Sequence, residues 1–429
     1  MRGRGAPAIL TGTRLFTVVK ELLKQGSILV LLGTGGVGKT TVAAALGIAA
    51  ASAHLKTAAI TVDPAPRLRD ALGLAHLGGE PTPLHPRHLA AAGLDAHLPF
   101  SAMMLDAKRT WDAIVERFAT DPARRARILG NPFYQALSEE FAGSEAFAAL
   151  QQLYDLHHSG AFELEVVDTP PAAHAFEFLE TPARFARLLD SRTARWLFTP
   201  SLSAGRIAVK LASQAARFVV RELGRFAGSH VLSTIADFFA AASESVDALV
   251  DRLRKTEALM RSPAVRFILV TTAEEDRLRD ARDLLDEMAA GGLRLSAIVI
   301  NRFLDEGSWE GAARGPGAGL GHLDEIAPIA ARFAGETARR RGLAALVRFL
   351  GDYRERTLDD IARVASFARE LPPGVTLAIA PELEAGVRDL RVLAKMAGIL
   401  TGGSGSLRHL TAAASHVAAH RQTAKARHA

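Results

Sequence analysis

Short apolar or β-branched runs recur along the chain and are separated by stretches of helical sequence. Each run is apolar on both faces, which is typical of parallel strands buried between two layers of helices. Parallel strands need crossover connections, and the intervening sequence is long enough to supply them. The pattern therefore predicts an α/β fold with a mainly parallel sheet flanked by helices. The predicted strands are Ile28–Leu32, Ala58–Val62, Leu164–Val167, Arg266–Thr271, Ala297–Ile300 and Thr376–Ala380.

Two segments between the predicted strands are much longer than a crossover connection. Their sequences predict helix almost throughout. They run roughly over residues 101–158 and 172–259. Because a crossover needs only about a dozen residues, we expect these segments to form an inserted α-helical subdomain at one edge of the sheet. Residues 402–405, Gly-Gly-Ser-Gly, are typical of a flexible linker. The predicted organisation is a lead-in over 1–25, one domain over 26–400 and a flexible basic tail over 401–429.

One stretch of the second helical segment, residues 206–226, combines an apolar face with a basic stripe. The usual interpretation is a helix that packs on its own subdomain and exposes its charged face. The alternative is a docking face for an acidic partner or a membrane surface. The chain has only six methionines, so a Met-rich groove for varied protein clients is not indicated.

Composition excludes several classes of site. The chain has 429 residues and no cysteine, so disulfides, thiolate metal sites and cysteine catalysis are excluded. No apolar run approaches the about 18 residues of a membrane span, and the basic N-terminus lacks a long apolar stretch and a clear cleavage site. These features predict a cytoplasmic protein.

The positive charge of the chain is concentrated at its two ends. The net charge is +6, but residues 1–10 and 407–429 carry six basic residues and no acid, so the rest is balanced. A balanced body does not indicate a nucleic-acid groove. The basic tail is too poor in large apolar residues for a strong amphipathic anchor, so any membrane contact is expected to be peripheral.

The residues after the first predicted strand carry the strongest chemical signal. The stretch GTGGVGKTT at 33–41 matches G-x-x-x-x-G-K-[ST], in which backbone N–H groups wrap the phosphates of a nucleotide. Lys39 would neutralise the β- and γ-phosphates of ATP, and the Thr40 hydroxyl would bind Mg²⁺. The predicted phosphate-binding residues are Gly33, Gly35, Gly36, Val37, Gly38, Lys39, Thr40 and Thr41.

A weaker motif overlaps this one. Gly33, Gly35 and Gly38 also match G-x-G-x-x-G, which marks a dinucleotide site with an acid at the end of the second strand. Asp63 could supply that acid. A dinucleotide site does not require Lys-Thr after the last glycine, so the nucleoside triphosphate interpretation is favoured.

Polar residues end three further predicted strands. Asp168 is at the position where an acid commonly holds the metal of a nucleotide, and the alternative is a helix cap. Asp63 could orient an attacking water, and the alternative is a turn carboxylate that bonds its own backbone. Asn301 could bind the edge of a base, although a lone Asn after a strand is more often a turn residue.

Taken together, these motifs resemble the arsenite-transporter (ArsA) ATPase family, which includes the ATPase for guided entry of tail-anchored proteins. The resemblance spans roughly residues 26–400 and is closest to the bacterial branch. The matching stretches are GTGGVGKTT at 33–41, VDPAPRLRDALG at 62–73, NPFYQALSEEFAGSEAFAALQQLYDLH at 131–157, VVDTPPAAHAFEFLETP at 166–182, LVTTAEEDRLRDAR at 269–282, VINRF at 299–303 and PELEAGVRDLRVL at 381–393.

The resemblance implies a P-loop fold in which two identical subunits close over two ATP molecules. It implies that Lys39 and Thr40 bind phosphate and Mg²⁺, that Asp63 polarises the attacking water, and that Asp168 contacts Mg²⁺ through water. It also implies that Asn301 reads adenine and that Pro381 lies where a loop passes the base. A protein client on the helical subdomain is a further expectation.

Two departures from the family pattern bear on function. The family's loop carries a lysine before the Gly-Gly pair that reaches the partner's ATP, whereas this chain has Thr34. Arg67 is the candidate replacement for that positive charge. The absence of cysteine excludes both a thiolate arsenite site and a zinc-clasped dimer. The predicted function is an ATP-hydrolysing dimer switch. The alternatives are a nucleotide-binding scaffold with little hydrolysis and a partitioning ATPase resembling the MinD and ParA groups.

Overall fold

The computed structural model describes residues 21–63, 65–139, 144–170, 231–303, 336–382 and 389–402. The strands in these ranges are β1 Ser27–Leu32, β2 Thr57–Thr61, β3 Thr82–Pro83, β4 Phe100–Met104, β5 Leu164–Asp168, β6 Val265–Thr271, β7 Leu295–Phe303 and β8 Thr376–Pro381. The helices are α1 Lys39–Ser52, α2 Arg67–Ala71, α3 Pro86–Ala91, α4 Ala107–Phe118, α5 Pro122–Leu129, α6 Pro132–Glu139, α7 Ser144–Ser159, α8 Val231–Ala242, α9 Val246–Met260, α10 Glu275–Ala290, α11 Glu336–Glu370 and α12 Leu390–Gly402.

The strands of the described residues form one sheet in the order β3-β4-β2-β5-β1-β6-β7-β8. Only the short β3 runs antiparallel, against β4, and the other neighbours are parallel. The predicted α/β fold with a mainly parallel sheet is therefore confirmed. The carboxyl ends of β1, β2, β5, β6 and β7 share one edge, because the strands run in the same direction.

The central strand β1 shows why the sheet must be covered on both sides. All six of its residues are buried. Successive side chains of a strand point to opposite faces, so Leu29 and Leu31 pack into one hydrophobic core while Ile28, Val30 and Leu32 pack into the other. The first core is closed by α1 and α12, and the second by α7, α9, α10 and α11.

Helix α1 is buried almost all round, with Val42, Leu46 and Ile48 fully inaccessible to solvent. Its remaining residues are mostly alanines, which let the helix lie close to the sheet and to α12. A helix that is apolar on every side belongs in the interior of an α/β protein. This burial anchors the N-terminus of α1 at the carboxyl end of β1, where the glycine-rich stretch lies.

Helices α4 to α9 form a third cluster of buried residues. Trp111 stacks on Phe147 with ring centroids 4.2 Å apart, and Phe133 meets Phe238 edge-on at 5.0 Å. The second of these contacts joins helices from the two segments that the sequence predicts to be helical. The start of the first segment is corrected: residues 101–104 belong to β4, and the helices begin at Ala107.

Several predictions fall on residues that the structure does not describe. The amphipathic stretch 206–226, most of the lead-in and most of the basic tail lie outside the described residues. Helix α12 continues to Gly402, so the first two residues of the predicted tail are helical. In the ranges described, no helix combines the length and apolar character that a membrane crossing requires.

Candidate nucleotide site

The glycine-rich loop leaves β1 at Gly33 and enters α1 at Gly38. A Cβ atom on Gly33 would lie 2.2 Å from the backbone oxygen of Val270 in the neighbouring strand β6. A Cβ atom on Gly38 would lie 2.2 Å from Nδ2 of Asn301, and the φ of Gly38 is 92°. Only glycine fits these two positions without displacing a neighbour. The loop is therefore shaped by the strands that flank it.

Lys39, the first residue of α1, folds back over the loop. Its ammonium group donates to the backbone oxygens of Gly33 at 2.8 Å and Thr34 at 3.1 Å. Burial lowers the pKa of Lys39, and the Arg67 cation lowers it further, while Asp168 and Asp63 oppose the shift. Loop carbonyls therefore solvate the ammonium group, and phosphate oxygens would be stronger partners for it.

Asp168 ends β5 directly beside this helix start. Its Oδ2 accepts a hydrogen bond of 2.6 Å from the Thr40 hydroxyl and a longer one of 3.4 Å from Thr61. Its Oδ1 is buried and has no hydrogen-bond partner among the described residues. Burial raises the pKa of Asp168 to about 6, although the Thr40 hydrogen bond and the Lys39 charge oppose that shift. The carboxylate is therefore held in place through Oδ2, and Oδ1 is left to bind another group.

Asp63 follows β2 and lies near the same edge. Its Oδ1 accepts the backbone N–H of Ala65 at 2.9 Å, so the turn alternative raised from the sequence is present in the structure. Its Oδ2 pairs with the Arg67 guanidinium at 3.3 Å. The negative charge of Asp63 favours a higher pKa for both Lys39 and Asp168, so this carboxylate belongs to the same group of charges.

Asn301 lies in β7, beyond β6, and its side chain reaches the loop. Its Nδ2 donates to the backbone oxygen of Val37 at 2.8 Å, and its buried Oδ1 has no hydrogen-bond partner in the ranges that the structure describes. The next residue, Arg302, has a φ of 53°, and the β7–β8 register shifts between Ile300 and Phe303. Such an irregularity re-aims side chains at a strand end. A base-reading role for Asn301 stays a prediction.

The remaining predicted site residues lie at or near the carboxyl edge of the sheet. Gly35 and Gly36 are exposed at the tip of the loop, Val37 is buried, and Thr41 is half-buried in the first turn of α1. Pro381 ends β8, where it pairs with Phe303 of β7. The proposed role of Pro381 beside a base also stays a prediction.

Strand order argues against the dinucleotide alternative. In that fold the strand bearing the ribose-binding acid is the immediate neighbour of the strand before the glycine loop. Here β5 lies between β1 and β2, with Val167 paired to both Val30 and Ile60. Asp63 is therefore one strand too far away, and Asp168 is the acid next to the loop.

Three residues of the site escaped prediction from the sequence. Thr61 bonds both Asp168 and the backbone N–H of Asp63. The buried hydroxyl of Thr169 donates to the backbone oxygen of Leu31 at 2.6 Å, which ties β5 to the end of β1. Arg277 of α10 donates to the Thr34 hydroxyl at 3.2 Å. Polar residues after buried strands could have indicated the two threonines, whereas no local pattern marks Arg277.

The donor set fits a magnesium ion that arrives with phosphates. Mg²⁺ in proteins commonly uses one or two carboxylates, a hydroxyl, water and the phosphate oxygens of a nucleotide. Thr40 and Asp168 would hold it, because the unpartnered Oδ1 of Asp168 lies buried next to the hydroxyl that Mg²⁺ would contact. A bound cation would add to the positive charge of Lys39 and would lower the pKa of this buried carboxylate.

Comparison with known proteins identifies the same family that the motifs resemble. The family model described as the anion-transporting ATPase matches residues 27–314. A Streptomyces coelicolor protein that is uncharacterised is 31% identical over 280 residues, which are 65% of this chain and 63% of that protein. A Prosthecochloris vibrioformis protein named as an arsenical pump-driving ATPase is 25% identical over 288 residues, covering 65% of this chain and 61% of its own.

A more distant relative is the ATPase get3 of Aspergillus terreus, which is 23% identical over 274 residues and covers 63% of this chain and 72% of its own length. The chain thus spans about three fifths of the length of the Prosthecochloris and Streptomyces relatives. The parallel sheet, the glycine-rich loop at its carboxyl edge and the family model all point to the same family. The chain has a P-loop NTPase fold and belongs to the anion-transporting (ArsA-type) ATPase family.

Proposed function

We propose that this protein binds MgATP at the loop of residues 33–41 and hydrolyses it. The observation that carries the proposal is the group formed by Lys39, Thr40 and Asp168, in which a cation, a hydroxyl and an acid converge at the start of α1. In phosphoryl transfer the protein mainly positions the reactants and stabilises charge. This group supplies both functions for the phosphates.

In the proposed reaction a water molecule attacks the γ-phosphorus of ATP. The bond between that phosphorus and the oxygen bridging to the β-phosphate breaks, giving ADP and inorganic phosphate. Asp63 would orient the water with the acceptor sites that its contacts with Ala65 and Arg67 leave open, since a carboxylate can accept about four hydrogen bonds. Lys39 would leave the loop carbonyls for the phosphates, and Asn301 would offer its free Oδ1 to the amino group of adenine.

Hydrolysis would drive a switch between a nucleotide-closed dimer and an open state that handles a client. The support for a dimer and for a client is the family resemblance together with the helical cluster of α4 to α9. The absence of cysteine argues against a client bound through thiolates. Thr34, at the position of the family's loop lysine, favours the second candidate, a nucleotide-binding scaffold with little turnover.

The test is MgATP hydrolysis per subunit across a wide range of protein concentration. Lys39→Ala is the blank, and Lys255→Ala, which removes a lysine that is 59% exposed on α9, is the matched control. We expect the control to hydrolyse ATP like the unaltered chain and the blank to be inactive. Specific activity that rises with concentration supports the dimer. Nucleotide binding without hydrolysis above the blank would replace the switch with the scaffold.

A further inference from the structure

Arg277 contacts the nucleotide loop from outside it. The residue lies in the first turn of α10, and its Nη1 donates to Oγ1 of Thr34 at 3.2 Å. Its backbone oxygen accepts the Thr271 hydroxyl at 3.0 Å, which ties the start of α10 to the end of β6. Arg363 of α11 donates to the backbone oxygen of Ala273 at 3.0 Å and braces the same connection. The guanidinium is therefore presented to the loop by a well-anchored backbone.

Two cations meet at Thr34. Lys39 donates to its backbone oxygen and Arg277 to its side chain. The carboxylates beside Arg277 belong to Asp280 at 3.5 Å and Glu274 at 4.0 Å, and both side chains are exposed. Exposed ion pairs of this length contribute little. The Arg277 charge can therefore be redirected to a stronger anion at small cost.

The other candidate cation has a different role in the structure. Arg67 pairs with Asp63, the carboxylate proposed to orient water, and its side chain is 62% exposed. Arg277 pairs with the loop itself and is 37% exposed. The transition state of phosphoryl transfer spreads negative charge over the γ-phosphate oxygens, and an arginine commonly balances that charge. Of the two side chains, Arg277 is the one that directly contacts the residue that Lys39 also holds.

We propose that Arg277 is a second cationic residue of the nucleotide site, which moves from the Thr34 hydroxyl to the terminal phosphate of ATP bound beside the loop. The proposal rests on the proposed binding of ATP at Lys39. It assigns to α10 the positive charge that the loop lacks at Thr34. Arg277 should therefore matter more for ATP than for ADP, because only ATP carries a γ-phosphate.

The test compares binding of fluorescent ATP and ADP analogues, with Mg²⁺, to the full chain and its variants. Arg277→Ala should weaken ATP binding about tenfold, ADP binding by less than threefold, and lower kcat, since a charge-assisted hydrogen bond is lost. Arg277→Lys should restore most of the ATP preference. Arg279→Ala removes the same charge two residues further along α10, where the pairs are with Glu275 and Asp276, and should change neither affinity.

A variant of the loop separates a charge role from a structural one. Thr34→Val removes the hydroxyl but leaves the arginine, and we expect it to weaken ATP binding clearly less than Arg277→Ala does. If Thr34→Val weakens ATP binding as much as Arg277→Ala, the arginine only positions the loop and the proposal is wrong. An unchanged ATP-to-ADP preference in Arg277→Ala, or a loss of that preference in Arg67→Ala alone, would also overturn it.

Failure of the proposal for Arg277 can be distinguished from failure of the proposed ATP hydrolysis. If the unaltered chain binds ATP but does not hydrolyse it faster than Lys39→Ala, hydrolysis is rejected while the ATP-to-ADP preference still tests Arg277. If Lys39→Ala binds ATP as tightly as the unaltered chain, nucleotide binding at this loop is rejected, and the role of Arg277 is rejected with it. Thermal unfolding of each variant checks that it folds.

Discussion

The carboxylate of Asp168 is bound to Thr40 through one oxygen, and its other oxygen has no hydrogen-bond partner in the part of the chain that the structure describes. The hydroxyl of Thr40 lies 2.6 Å from Oδ2, while Oδ1 is buried. A buried polar atom without a partner is costly, and the binding of an ion is one way in which such an atom is satisfied. This relationship joins the helix that follows the loop to the strand beside β1, and it leaves one carboxylate oxygen for the Mg²⁺ ion of the proposed MgATP complex.

The first prediction concerns magnesium. Asp168→Asn keeps the size of the side chain and removes its charge, so the Mg²⁺-dependent rate should fall by about 10- to 100-fold. Nucleotide binding measured in EDTA should change much less, because Lys39 and the loop remain. Asp251→Asn removes a carboxylate that is 62% exposed on α9 and should leave both quantities unchanged. If Asp168→Asn weakened nucleotide binding in EDTA as much as it lowered the Mg²⁺-dependent rate, a metal-binding role for Asp168 would be contradicted.

The second prediction is a stability change with a definite sign. Burial raises the folded-state pKa of Asp168 to about 6, above its usual value of 3.8. The stability linked to its proton is fully present below about pH 4 and is lost as the pH rises through 6. In Mg²⁺-free buffer above pH 6.5, Asp168→Asn should therefore be more stable than the unaltered chain, by up to about 3 kcal/mol.

Thermal unfolding at pH 4.5 and pH 7.5 measures this effect. The gap in melting temperature between Asp168→Asn and the unaltered chain should widen at the higher pH, and saturating MgATP should narrow it. A gap that is the same at both pH values would mean that Asp168 titrates normally in the folded protein.

Much of the architecture could be predicted because buried parallel strands are apolar throughout. Strand β1 was predicted from Ile28 and begins at Ser27, and β6 was predicted from Arg266 and begins at Val265. Strand β4, by contrast, was not predicted. Its sequence, Phe-Ser-Ala-Met-Met, contains no β-branched residue, and its extended form depends on pairing with β2. Local preference could not reveal a partner that lies more than forty residues away.

The residues of the candidate site also fall into two groups, those that the sequence predicts and those that it does not. The loop, Asp63, Asp168 and Asn301 were found because each follows a recognisable buried strand. Arg277 was not found, since its contact with Thr34 joins residues 243 positions apart and its own neighbours are charged residues of an ordinary surface helix. Only the packing of β6 beside β1 brings α10 to the loop. Residues placed by tertiary packing alone are the ones that motif spacing cannot identify.

The third prediction distinguishes two glycines of the loop. Gly33→Ala would press a methyl group against the backbone oxygen of Val270, whereas Gly38→Ala would press one against the side chain of Asn301. Each variant should lose stability, by about 1–3 kcal/mol from crowding, and should lose nucleotide binding. Because a side chain can be shortened, Asn301→Ala should recover part of the stability of Gly38→Ala and none of that of Gly33→Ala. Thermal unfolding of Gly33→Ala and Gly38→Ala, each alone and combined with Asn301→Ala, tests this difference. Equal recovery of stability in the two double variants would contradict it.

The fourth prediction concerns the buried guanidinium of Arg252, which connects α9 to α7. It donates to the side chain of Gln151 at 2.9 Å and to its backbone oxygen at 3.1 Å, and it pairs with Asp155 at 2.7 Å. It also lies 4.3 Å from the centre of the Tyr154 ring. Arg252→Ala leaves these acceptors without their donor and should cost about 2–4 kcal/mol in unfolding free energy.

Denaturant unfolding measures the loss, and two comparisons make it specific. Arg252→Lys keeps the charge but cannot reproduce the planar contacts, so it should recover only part of the stability. Affinity for ATP should stay within threefold of the unaltered chain, since Arg252 contacts no residue of the loop. A large loss of ATP affinity in a folded Arg252→Ala protein would show that the helical cluster is coupled to the site.

The last prediction uses a buried acid in the middle of the sheet. Glu165 of β5 is inaccessible to solvent, and its Oε2 lies 3.3 Å from Nδ1 of His157. Burial raises the pKa of Glu165 from 4.5 to about 8, and burial lowers the pKa of His157. The pair is therefore neutral near pH 7. The stability that depends on the Glu165 proton is complete below about pH 4.5 and is lost as the pH rises through 8.

Glu165→Gln should remove this dependence, because its amide keeps the shape and cannot ionise. Between pH 6.5 and 8, where Asp168 is already ionised, the unaltered chain should lose up to about 1.4 kcal/mol per pH unit that the variant retains. Unfolding in urea across this range measures the slope. Glu275→Gln, at a site that is 78% exposed, should follow the unaltered chain. Parallel slopes for all three proteins would mean that Glu165 does not titrate between pH 6.5 and 8 in the folded protein, which would contradict its raised pKa.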